Sequence, residues 1–177
     1  MVCKVIYRYP MHFYRIGSLL LALTTFASAQ SSLKLIPIPR EVHAASDQPL
    51  TDGVRVTCAA PCETEDQFAA DDLKASLLAR NIPVTETGGF LVELTRLSVH
   101  PDEKYSDEMK AEGYIIHTSS SGLTVVGDTA AGVFYGVQTV KQLIEGDGKH
   151  AVLHGANIRD WPAMKYRGLD EIGRAHV

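Results

Sequence analysis

The chain has 177 residues, of which 45 % are hydrophobic and 21 % charged, and its formal net charge is −4. Residues 1–29 carry three basic and no acidic side chains, so without them 14 Lys and Arg stand against 21 Asp and Glu, a net charge of −7. Such an acidic surface cannot displace counterions from phosphates, which excludes nucleic acid as a partner.

Residues 1–29 read as a signal peptide. Lys4, Arg8 and Arg15 make a basic start, Ile16 to Ala27 is apolar, and Ala27-Ser28-Ala29 is a small-x-small cleavage site. The apolar run is shorter than the roughly 20 residues of a membrane span. The mature protein is therefore expected to begin near Gln30, to have no membrane span, and to be exported to a periplasmic or extracellular location. What remains is one domain's worth of chain.

Leu35-Ile-Pro-Ile-Pro-Arg-Glu-Val42 is extended, because alternating prolines exclude a helix and favour an edge position. Leu50 to Cys58 reads as a short strand. Cys3 leaves with the signal, and Cys58 and Cys62 then form either a small disulfide loop around Pro61 or two free thiols. No His or further Cys lies nearby at metal-ligand spacing. Thr64-Glu-Asp-Gln67 predicts a capping box opening a helix to about Asn81, with Ala69, Leu73, Leu77 and Leu78 as its buried stripe.

Phe90 to Leu97 alternates as a strand, and the charged stretch Pro101 to Glu112 reads as a solvated loop. Gly113 to Thr118 and Leu123 to Val126 flank a Ser/Gly turn and predict a hairpin. A second helix is expected after Asp128 as its cap, with Ala130, Val133, Phe134, Val137, Val140 and Ile144 on its buried stripe. Gly132 and Gly136 each cost that helix about 1 kcal/mol against Ala, so close contact with a sheet is expected to compensate. Ala151 to Ile158 returns as a strand. The elements predict an α+β fold, a mainly antiparallel sheet with two helices packed on one face.

Gly113-Tyr-Ile-Ile-His, followed by the run from Leu123 to Leu143, resembles the end of the N-terminal domain of glycoside hydrolase family 20, the β-N-acetylhexosaminidases. Glu112, Tyr114, Gly132, Phe134, Tyr135, Gly136, Gln138, Thr139, Gln142 and Leu143 match that family's phrase. Asp160-x-Pro162 and Tyr166-Arg167-Gly168-Leu169 resemble the segment that opens its catalytic barrel. The resemblance implies an N-terminal domain over 33–158 and the first strand of a (β/α)8 barrel over 159–171. Ile172-Gly-Arg-Ala-His-Val177 reads as a translated sequencing adapter, so 172–177 is expected to be an artefact.

The resemblance further implies an exported enzyme that removes terminal N-acetylhexosamine from glycans, chitin or cell-wall fragments. It would use substrate-assisted retaining catalysis and no cofactor or metal. In the family the Arg of the Arg-Gly phrase holds hydroxyls of the terminal sugar, and Arg167 occupies that position; a salt bridge at a domain interface is its alternative role. The family's adjacent Asp-Glu pair lies far along the barrel, so no catalytic residue is expected within this fragment. Glu65-Asp66, Asp102-Glu103, Asp107-Glu108 and Asp170-Glu171 are read as structural or incidental pairs. His43, His100, His117, His150 and His154 show no paired metal spacing, His117 reads as half-buried on its strand, and Phe134 and Tyr135 read as core. Two other readings remain: a secreted carbohydrate- or protein-binding module, or the N-terminal domain of another exo-glycosidase such as an α-glucuronidase.

Overall fold

The structure is a computed structural model that describes residues 33–164. The expected signal peptide, Arg167 with the rest of the barrel strand, and the adapter-like end lie outside the described residues.

Among the described residues nine strands and two α-helices follow one another: β1 (Glu41–Ala44), β2 (Gln48–Pro49), β3 (Val54–Cys58), α1 (Thr64–Ala79), β4 (Phe90–Arg96), β5 (Tyr114–Thr118), β6 (Gly122–Gly127), α2 (Ala130–Leu143), β7 (Ile144–Glu145), β8 (Val152–Leu153) and β9 (Ala156–Asp160). Six strands make one sheet in the order β1-β9-β5-β6-β4-β3, and a small antiparallel sheet is ordered β2-β8-β7. The fold is α+β, as expected. The large sheet is mixed: β1–β9, β9–β5 and β5–β6 are antiparallel, whereas β6–β4 and β4–β3 are parallel. β3, α1 and β4 therefore form a βαβ crossover, which the order of elements along the chain does not announce.

Successive residues of a strand face opposite ways, and this divides the core. Tyr114 and Ile116 of β5, with Leu123 and Val125 of β6, meet the helices through Leu73, Leu77, Val133, Val137 and Val140. Ile115 and Val126 face the other side and meet Met109. The stretch Pro101 to Glu112 is thus not wholly solvated. Its Met109 is fully buried, and the Tyr105 hydroxyl donates to the Gly113 carbonyl. Burial pushes the Tyr105 phenol up to about 12.

One expected strand is shortened and another is split. Gln48–Pro49 pairs with β8, so the strand expected from Leu50 begins only at Val54. Ala151 to Ile158 breaks at His154 and Gly155, where the backbone changes partners. The His154 amide donates to the Leu143 carbonyl, and the Gly155 carbonyl accepts from the Ala45 amide. On α1, Ala69, Leu73 and Leu77 are buried as expected, but Leu78 is exposed. On α2, Ala130 and Phe134 are half-buried, while Gly132, Gly136 and Leu143 join the buried face.

Both helix caps lie one residue away from the expected ones. α1 is capped by Glu63, whose amide donates to Asp66 Oδ2 (3.2 Å). α2 is capped by Thr129, whose Oγ1 accepts from the Gly132 amide (3.3 Å). The buried Arg96 at the end of β4 ties the two helix starts together. Its Nε donates to Asp66 Oδ2 (2.9 Å), one terminal nitrogen to Glu63 (3.1 Å), and the other to the Asp128 carbonyl (3.1 Å).

Gly132 and Gly136 lie where α2 crosses the β5–β6 hairpin. A Cβ on Gly132 would meet the Gly113 carbonyl oxygen at under 3.0 Å, and one on Gly136 would meet Val125 Cγ1 equally closely. The low helix propensity of glycine is offset by an approach that no other residue permits. Gly132→Ala should therefore destabilise the domain by about 2 kcal/mol, against its helix propensity, because the displaced neighbour is backbone. Urea unfolding of the two proteins measures this. Asp66→Ala should cost about 3–5 kcal/mol by leaving Arg96 buried and under-compensated. The pair Asp66→Leu with Arg96→Met should cost less than the sum of the single changes, read from a double-mutant cycle.

Candidate functional site

Where β9 ends, the chain leaves the domain along a groove of about 540 Å³. Polar Arg40, Tyr114, Thr139 and Asp160 line it together with apolar Ile36, Ile38 and Trp161. The β1–β9 register sets Glu41 opposite Arg159, so Arg40 comes alongside Asp160. The Arg40 amide donates to Asp160 Oδ1 (3.2 Å), and its guanidinium donates to the carbonyls of Trp161 (2.9 Å) and Pro162 (3.4 Å). The same guanidinium lies 4.8 Å from the centre of the Trp161 ring, a cation–π contact.

Asp160 is also opposite Tyr114 in β5. The Tyr114 hydroxyl donates to Asp160 Oδ2 (3.2 Å) and shares a 2.6 Å hydrogen bond with Thr139 Oγ1 of α2. Burial pushes the Tyr114 phenol far up, so it remains a donor at any physiological pH. One turn along, Gln142 holds the lead-in segment. Its Oε1 accepts from the Ile36 amide (2.8 Å), and its Nε2 donates to the Ile36 carbonyl (3.1 Å). Gln138 donates to Asp72 of α1 (2.9 Å), and Lys141 also pairs with that carboxylate, holding it below the usual carboxylate range.

The matched phrase of α2 is thus a set of attachments. Thr139 reaches β5, Gln142 reaches the lead-in, Gln138 reaches α1, and the two glycines admit the hairpin. Tyr135, expected in the core, is instead partly exposed on a lip of the groove, and Phe134 lies between it and the exposed Phe68 of α1. Neighbouring helix positions are about 100° apart, so the stripe that takes in Phe134 turns Tyr135 away from it.

The other sequence candidates are scattered. Asp66 is in the ion pair with Arg96, Glu103 meets an exposed His117 (2.8 Å), and Asp107 pairs with Lys110 (2.6 Å). His117 is therefore more exposed than its strand pattern suggests. Cys58 and Cys62 are joined in a disulfide, with Cα atoms 5.8 Å apart. Among the described residues, no group of three His, Cys, Asp or Glu side chains could hold a metal ion, and no helix is long and apolar enough to cross a membrane. Asp170, Glu171 and Arg167 lie outside the described residues.

The family described as glycosyl hydrolase family 20, domain 2, matches residues 32–161. A β-hexosaminidase of Porphyromonas gingivalis (strain ATCC BAA-308 / W83) is 29 % identical over 147 residues, which span 77 % of this chain and 18 % of that protein. The solved structure of a glycoside hydrolase family 20 β-N-acetylglucosaminidase is 32 % identical with a TM-score of 0.53, covering 74 % of this chain and 23 % of that one. The family 20 β-N-acetylhexosaminidase from Streptomyces coelicolor A3(2) is 26 % identical with a TM-score of 0.56, covering 73 % and 26 %. The chain therefore spans less than a third of the length of each of these relatives.

A second groove lies beside the small sheet, lined by Lys34, Arg80, Glu145 and His154 among others. Arg80 is engaged by the carbonyls of Ile144 and Gly146 and by Asp147. His154 Nε2 meets Glu145 Oε2 (2.7 Å) and Nδ1 meets Asp47 Oδ2 (3.1 Å). A neutral imidazole has one N–H, so both bonds require the protonated ring. The Glu145 hydrogen bond, then burial in opposition, then Asp47 set the balance, and the pKa is raised. Stabilisation by His154 is thus fully present below its unfolded pKa of about 6.5 and is lost as pH rises through the higher folded value. Both carboxylates are largely exposed, which keeps the effect small. The unfolding midpoint should fall across that window in the native protein and not in His154→Gln, as thermal melts at stepped pH would read.

Proposed function

The chain belongs to glycosyl hydrolase family 20, as a copy of its domain 2, and from that premise we propose that it is the accessory N-terminal domain of an exported β-N-acetylhexosaminidase. The observation that carries the proposal is the family match over 32–161 together with the small share of the P. gingivalis β-hexosaminidase that this chain spans. The whole protein would release terminal N-acetylhexosamine from glycans, chitin or cell-wall fragments. An adjacent Asp-Glu pair in a following barrel would do the chemistry, with the substrate's acetamido group as nucleophile and no cofactor. Arg167 would bind hydroxyls of the terminal sugar, since a fixed fork of donors that stays charged suits vicinal hydroxyls.

Export is part of the same proposal. The basic start, the short apolar run and Ala27-Ser28-Ala29 favour it. A Cys58–Cys62 disulfide suits an oxidising compartment. The domain's own task would be mechanical. It would pack against the barrel and hold the strand that carries Arg167.

Hydrolysis of a chromogenic N-acetylglucosaminide separates these roles. The 177-residue chain should release no chromophore above background, whereas the longer product of the same gene should turn it over. Sustained turnover by the 177-residue chain alone would refute the division of labour.

A further inference from the structure

We propose that the Cys58–Cys62 disulfide is a redox site that a small thiol opens in the folded domain by attack at Cys62, and that its reduction frees the first turn of α1 while the sheet stays intact. The inference goes beyond the accessory-domain reading and does not rest on it.

The first observation is the placing of the two sulfurs. Cys58 is the last residue of β3 and half-buried, whereas Cys62 is exposed, as are Ala60 and Pro61 before it. Thiol–disulfide exchange needs a clear approach to the sulfur under attack, and access selects Cys62. A thiolate RS⁻ bonds to Cys62 Sγ, and the bond between the two Sγ atoms breaks with its electron pair leaving on Cys58. A second thiolate attacks the R sulfur of the mixed disulfide, and Cys62 leaves in turn. Two RSH are consumed and one RSSR is released. The protein gains two electrons and the two protons that the reagent gave up.

The second observation is what the small ring holds. The end of β3 is secured without it, because the Ala59 amide donates to the Leu94 carbonyl (2.8 Å). The body of α1 is secured as well, by Asp66 on Arg96 (2.9 Å) and by buried Ala69, Leu73 and Leu77. The segment between these anchors ends at Glu63, and the ring closes on the residue just before it. Glu63 is the cap of α1: its side chain accepts from the Asp66 amide, and its carbonyl accepts from the Gln67 amide (2.9 Å). Its other ties are an amide bond to Asp66 Oδ2 (3.2 Å) and an ion pair with Arg96. The Glu63 side chain is 66 % exposed, so that ion pair is well screened and holds the cap weakly. Opening the ring returns conformational freedom to Ala60, Pro61 and Cys62. The cap has the least else to resist it, so the release is local.

The test uses the 177-residue chain with Cys3→Ser, which removes its third cysteine. It is treated with cysteamine in native buffer, quenched with acidic N-ethylmaleimide and peptide-mapped. The cysteamine adduct should sit on Cys62 with Cys58 alkylated, and the rate should rise in proportion to cysteamine. An adduct on Cys58, or a rate capped by prior unfolding of the domain, would overturn the assigned site. Amide exchange followed by NMR reads the consequence. After reduction the Asp66 and Gln67 amides should exchange about tenfold faster, with the Ile116 and Val125 amides of the sheet unchanged. The double variant Cys58→Ser with Cys62→Ser should give the same pattern without any reagent. Unchanged exchange at Asp66 and Gln67, or faster exchange throughout the sheet, would sink the local release.

Discussion

The fold depends on how closely α2 can lie against the β5–β6 hairpin. Gly132 faces the Gly113 carbonyl and Gly136 faces Val125, with no space for a methyl group at either position. Only from that distance do short side chains reach across. Thr139 meets the Tyr114 hydroxyl at 2.6 Å, and Gln142 spans to both backbone groups of Ile36. A helix held one methyl group further out would leave a buried phenol without its hydroxyl partner. It would also leave the lead-in segment without its clamp. The Tyr114 hydroxyl would keep only its bond to Asp160, and a lost hydrogen bond of this kind costs about 1 kcal/mol beyond the lost packing.

Arg96 performs the same service at the other end of the helices. It gathers Asp66 from the first turn of α1, Glu63 from its cap and the Asp128 carbonyl from the start of α2. Two helix starts distant in sequence are thus tied to the end of one parallel strand. A buried ion pair is weak evidence for net stability, since hydrophobic replacements often do as well. Its worth here is in register: β4 lies between two parallel neighbours, and no short hairpin turn pins it. The Arg96 cluster supplies the fixed point that a tight turn would otherwise provide.

Local patterns in the sequence revealed the elements, and long-range partners decided the rest. Helical spacing found both helices, and the Ser/Gly turn found the β5–β6 hairpin, because each signal is complete within about ten residues. The close approach at Gly132 and Gly136 was legible as an unexplained propensity cost. The caps were misplaced by one residue because a neighbouring side chain, Glu63 beside Thr64 and Thr129 beside Asp128, can equally accept from the first-turn amides. Met109 was invisible, since one apolar residue among charges has no periodicity to betray it. The parallel pairing of β3 and β4 likewise leaves no mark in either strand. The groove was legible only in parts. Ile36, Ile38, Arg40 and Trp161 each look ordinary, and they converge because β1 pairs with β9 across more than a hundred residues.

That convergence also explains why a family phrase can be specific without containing chemistry. Gln138, Thr139 and Gln142 all carry side chains able to assist catalysis, yet each is engaged in attaching α2 to a different element. Such attachments constrain sequence as tightly as a reaction does, because each demands a donor or acceptor at one position and a fixed helix depth beneath it. Their combined effect is to hold the end of β9, through Tyr114 and Asp160, against the segment carrying Ile36 and Arg40. An exit held at both backbone and side chain transmits the position of the sheet to whatever follows, within the slack of a few hydrogen bonds.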